Sequence, residues 1–81
     1  MATLRKGTVF VQLYPCSSPM IFEVLEIDRD KDYLKVNCIC NGCSHEEEWQ
    51  GRINGLEATE VAIDMGEYRI INDYSINKKA I

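Results

Sequence analysis

No stretch of these 81 residues approaches the roughly 18 consecutive apolar residues of a membrane span, and the start, Met-Ala-Thr-Leu-Arg-Lys, lacks the apolar core of a secretory leader. Basic residues are scarce: 9 Lys and Arg against 13 Asp and Glu leave a formal charge of −4, which argues against a general nucleic-acid or anionic-membrane surface. Arg5-Lys6 and Lys78-Lys79 lie near the two ends and read as solvated tails. There is no internal repeat, no low-complexity segment and no sign of a second domain. The expected location is the cytoplasm, where thiols stay reduced.

What remains is 46% hydrophobic and 27% charged, an ordinary globular composition for a single domain spanning 1–81. A chain this short builds a small core, so a metal or a partner would add useful stability.

The most informative stretch is 38–45, Cys-Ile-Cys-Asn-Gly-Cys-Ser-His, which holds three of the four cysteines and the only histidine. Asn-Gly between two strand-like runs predicts a hairpin, because both central residues of a type I′ turn need positive φ. A turn at Asn41-Gly42 pairs Cys40 with Cys43, Cys38 with His45, Val36 with Glu47 and Leu34 with Trp49, all on one face. The other face pairs Ile39 with Ser44, Asn37 with Glu46 and Lys35 with Glu48, as a solvated side should. Glu47 is the misfit: a carboxylate opposite Val36 on the apolar side implies a sheet edge, a bulge or a one-residue slip.

Along the rest of the chain, 8–14 reads as a first strand between Gly7 and Pro15, and Cys16-Ser17-Ser18-Pro19 as an extended loop. Residues 20–27 form a second strand whose faces are only partly distinguished. The charged turn 28–32 lacks the Gly and terminal Glu of a calcium loop. Strands follow at 33–40 and 43–50. Asn54 as N-cap with Glu57 at N3, a staple from Ile53 to Ala58, and Ala58, Val61, Ala62 and Met65 at helical spacing predict a helix over 55–65 closed by Gly66. The competing reading makes 59–64 a strand, because Val61 and Ile63 are β-branched. A last strand is predicted at 67–72, with a mobile tail over 73–81.

The order is ββββαβ: an α+β, mainly β domain, either a small partly open antiparallel barrel or a curved sheet covered by one helix. The strand count and the short helix before the last strand are similar to small SH3-like barrels, a likeness of architecture that no motif carries. Nothing in the first strand protects it as an edge, which predicts a homodimer or an edge covered by a partner.

Cys-x-Cys-x-x-Cys-x-His supplies soft ligands that suit one Zn²⁺, but hairpin ligands approach from one side of a sheet. The candidate set is therefore Cys40, Cys43 and either Cys38 or His45, closed by Cys16 from the Pro-bounded loop. Against it stands the reading in which Cys38 and Cys40 simply continue the apolar stripe of Leu34 and Val36 as small buried residues. Cys40-Asn-Gly-Cys43 as a redox pair lacks the helix N-terminus that lowers a thiol pKa, and a Cys43–His45 dyad has no orienting group except the glutamates after it and no legible oxyanion hole. These features predict no enzyme.

Tyr14, Tyr33, Trp49, Tyr68 and Tyr74 offer more amphipathic aromatic surface than a small core hides, and Glu46, Glu47 and Glu48 offer an acidic patch to a basic partner. The expectation is a small cytosolic protein-binding or inhibitor module of bacterial or phage type, acting by stoichiometric contact. A zinc-stabilised binding module using the 38–45 hairpin is the alternative, and a thiol-dependent enzyme or redox switch the third reading.

Overall fold

The computed structural model of the chain describes residues 2–12, 20–40 and 42–73. Five strands, β1 (Thr8–Gln12), β2 (Ile21–Asp28), β3 (Tyr33–Cys40), β4 (Cys43–Gln50) and β5 (Tyr68–Asp73), and one helix, α1 (Leu56–Asp64), follow in the order ββββαβ. All strand pairs are antiparallel, and the sheet order is β4-β3-β2-β1-β5. The two edges, β4 and β5, do not pair with each other, so this is an open sheet rather than a closed barrel.

The β3–β4 register is Cys40 to Cys43, Cys38 to His45, Val36 to Glu47 and Leu34 to Trp49, as the turn chemistry predicts. Gly42 takes φ +82°, the left-handed value such a turn demands. Glu47 faces the apolar side because β4 is an edge, where a carboxylate still reaches solvent. Lys35 pairs with Glu46 (3.1 Å) and Glu26 (3.8 Å), a diagonal and a cross-sheet neighbour, rather than with Glu48 directly opposite. The blurred faces of β2 have a cause too: the register to β3 shifts between Val24 and Glu26, a bulge that lets the alternation change phase.

One face of the sheet buries Phe10, Phe22, Val24, Leu34, Val36 and Cys38, and Leu56 from α1 and Leu4 from the N-terminal segment close over them. The rings of Phe10 and Phe22 stack at 5.1 Å, with Trp49 and Tyr68 packed edge-on or tilted around them at 5.2–6.4 Å.

The helix forms where it is expected, but through different contacts. Its N-cap is Gly55, with no side-chain cap bond, and the missing acceptor is supplied from afar: Asp32 Oδ1 accepts the Glu57 N–H at 2.8 Å. Asn54 is therefore not the cap, and Ile53, 93% exposed, makes no staple. The helix buries Leu56, Thr59 and Glu60 and leaves Val61 partly and Met65 largely exposed, so the stripe of Ala58, Val61, Ala62 and Met65 is not its core face. Charge pairing rotates it, because Glu60 turns inward to meet Arg29 and the Leu4 backbone. At the other end Gly66 (φ +87°) completes a Schellman cap, with Gly66 N–H to Ile63 O and Glu67 N–H to Ala62 O.

Two further expectations change. The first strand is an interior strand between β2 and β5, so the argument for an unprotected edge moves to β4 and β5; β4 is guarded by its glutamates, whereas β5 exposes Ile70 and Ile71. The last strand runs to Asp73, one residue beyond its expected end, and the rest of the expected tail, 74–81, like 13–19, lies outside the described residues. No helix among the described residues is long and apolar enough to cross a membrane.

Candidate metal centre

Position 47 organises one end of the inner face. Period-2 alternation along β4 puts His45, Glu47 and Trp49 on the same side, and pairing with β3 sets Cys38 directly across from His45. Glu47 then acts as a common acceptor. His45 Nε2–H donates to Glu47 Oε2 at 2.7 Å, Trp49 Nε1–H donates to Glu47 Oε1 at 2.9 Å, and the Cys38 thiol faces the same carboxylate. The Trp49 and His45 hydrogen bonds, in that order, hold the Glu47 carboxyl below its ordinary range.

Cys38 is only 1% exposed. Burial, with the Glu47 charge beside it, pushes its thiol up to about 11, so it stays protonated at neutral pH in the absence of a cation. The Cys38 sulfur, a His45 ring nitrogen and a Glu47 oxygen all lie within 4.8 Å of one another. Bonds of about 2.0–2.3 Å to a tetrahedral Zn²⁺ put donors about 3.5 Å apart, so small side-chain movements at an edge strand would close the set. A cation there would require Cys38 to lose its thiol proton and His45 to present an unprotonated ring nitrogen.

Of the ligands expected from the sequence, Cys38 and His45 are brought together, while Cys40 and Cys43 face each other one row nearer the turn as free thiols, half-buried and exposed, outside the three-residue group. Cys16 lies outside the described residues. Glu47 enters the donor set although the spacing of cysteines says nothing about it. The signal that points to it is its misplacement on an apolar face, two residues from a histidine on the same strand.

Among the residues expected to meet a partner, Trp49 and Tyr68 are half-buried against Phe10 and Phe22. Tyr33 is half-buried on the outer face, where partial burial and the charges of Glu48 and Glu26 raise its hydroxyl pKa. Glu46 and Glu48 are exposed on the outer face of β4, and Tyr14 lies outside the described residues. The chain matches no family model, no curated protein and no solved structure.

Proposed function

We propose that this chain is a zinc-holding binding module that acts by stoichiometric contact, with the metal carried on the β3–β4 hairpin. One observation carries this reading: a thiol, an imidazole nitrogen and a carboxylate oxygen from adjacent strands converge within 4.8 Å. The set combines a soft thiolate, a borderline imidazole and a hard carboxylate, all of which Zn²⁺ accepts, and three protein ligands leave the fourth tetrahedral position for water or for a side chain of the bound partner. Cys38 would coordinate as thiolate, and because the donors come together only in the folded hairpin, binding energy adds to folding energy. Contact rather than turnover is favoured by the burial of Cys38, whose protonated, enclosed thiol is a poor nucleophile.

Native mass spectrometry of protein purified without chelator tests this. One zinc per chain, lost in His45→Ala and Glu47→Gln, is the expected result; both side chains are exposed, so neither substitution should unfold the domain. A mass equal to the bare chain with its thiols free would overturn it. A metal-independent contact module is the second reading, favoured by the apolar side chains that α1 and its preceding loop hold in solvent, Ile53 at 93% and Met65 at 71% exposure. In that case chelator leaves both stability and partner capture unchanged.

A further inference from the structure

The sheet stays open because β4 and β5 do not meet, and an open groove of about 280 Å³ lies where closure would have occurred. Trp49 from one edge and Tyr68 from the other line it, and both rings are braced on Phe22, at 5.2 and 5.8 Å. Ala58 and Ala62 of α1 form an apolar wall, and Glu67, at the rim, supplies the one charged side chain of the lining among the described residues. Among the described residues no Lys or Arg lines the groove. None of these residues belongs to the Cys38, His45 and Glu47 donor set.

Two aromatic rings, an apolar wall and a single carboxylate form an arrangement complementary to a side chain with an apolar stem and a cationic head. A guanidinium fits it better than an ammonium: it is flat enough to stack on indole or phenol, it is weakly hydrated, and it can grip a carboxylate with two N–H groups. The three-carbon stem would lie along the two alanine methyls. The net charge of −4 would draw in a basic segment from a distance, with Glu46 and Glu48, exposed on the outer face of the strand that carries Trp49, adding to that field although Lys35 partly offsets Glu46. We propose that this groove receives an arginine side chain from a basic segment of a partner protein, its guanidinium over Trp49 and Tyr68 and paired with Glu67.

The test is a titration of the ¹⁵N-labelled full chain, followed by NMR, with the blocked tripeptide acetyl-Gly-Arg-Gly-amide and with its uncharged citrulline counterpart. The only tryptophan gives a single indole signal to follow. Saturable shifts at the Trp49 indole and at the Ala58, Ala62 and Glu67 amides are expected with the arginine peptide and not with citrulline. Glu67→Gln, an exposed change that leaves the helix cap intact, should weaken binding by about three- to tenfold, the size of a partly solvated ion pair. Ala62→Leu should fill the groove and remove the response. Diffuse or absent shifts, an equal response to citrulline, or unchanged affinity in Glu67→Gln would each overturn the assignment; the metal content is held fixed throughout, because the Trp49 indole N–H donates to Glu47 of the donor set.

Discussion

Arg29 and Glu60 meet as a two-pronged pair, Nη1 to Oε1 at 3.1 Å and Nη2 to Oε2 at 2.8 Å, and together they clasp the Leu4 backbone: Glu60 Oε2 accepts its N–H at 2.6 Å and Arg29 Nη2 donates to its carbonyl at 3.1 Å. The turn after β2, the helix and the N-terminal segment are thereby joined at one point, and Leu4 is held in the core. Glu60 is buried, yet among the described residues no buried side-chain polar atom lacks a partner.

The Arg29 hydrogen bond, aided by the Leu4 N–H, holds the Glu60 carboxyl below its ordinary 4.5. A carboxyl whose folded pKa is depressed contributes stability that is full above its unfolded value and is lost as pH falls through the folded value. Thermal stability should therefore decline on acidification below about pH 4.5, the unfolded reference, with Glu60 a main contributor. Glu60→Gln should cost about 1–2 kcal/mol at neutral pH, since Arg29 keeps access to solvent, and should flatten the acid limb of a melting-temperature profile.

Gly55 packs against backbone, and a β-carbon there would collide with the Asp32 carbonyl oxygen and the Gly51 main chain. These walls are themselves hydrogen-bonded, Gly51 N–H to Asp32 O and Gly55 N–H to Gly51 O, and cannot retreat cheaply. Gly55→Ala should destabilise by about 2–3 kcal/mol in urea unfolding, more than a glycine-to-alanine change at an open helix position could explain.

Met65 is the helix C-cap residue and is 71% exposed. The last turn of α1 carries no basic residue, so Met65→Lys places a cation near unopposed carbonyls. The change should be neutral to stabilising by about 0.3–1 kcal/mol, whereas a core methionine would lose several. A large drop in midpoint would mean that this face is covered in solution.

The proposed zinc site separates the cysteines. Cys38→Ser should lose the metal and, because the thiol is buried, lower stability even in the presence of chelator by about 1–3 kcal/mol. Cys43→Ser, exposed and outside the donor set, should retain one zinc by mass spectrometry. Loss of zinc from Cys43→Ser would transfer the site to the turn-proximal thiols.

Local chemistry made much of the architecture legible in the sequence. Asn41-Gly42 with period-2 alternation on both sides is enough to set the β3–β4 register, because a turn of that kind joins strands in one alignment and a slip would reverse every side chain. Gly66 ends the helix for a similarly local reason, since only a residue free to adopt positive φ closes that cap without strain. What tertiary structure decided was which groups at long separation find one another. Asp32 rather than Asn54 caps α1, and the carboxylate at position 60, on the Leu56 face of the helix, is accommodated inside because Arg29 and the Leu4 backbone meet it there. The same holds for Glu47: its place on an edge strand, beside a histidine and near a buried cysteine, converts an apparent fault in the pattern into a shared partner for His45 and Trp49. Burial of charge depends on partners brought together by the whole fold, and those partners are 31 and 56 residues away for Glu60, beyond the reach of any periodicity.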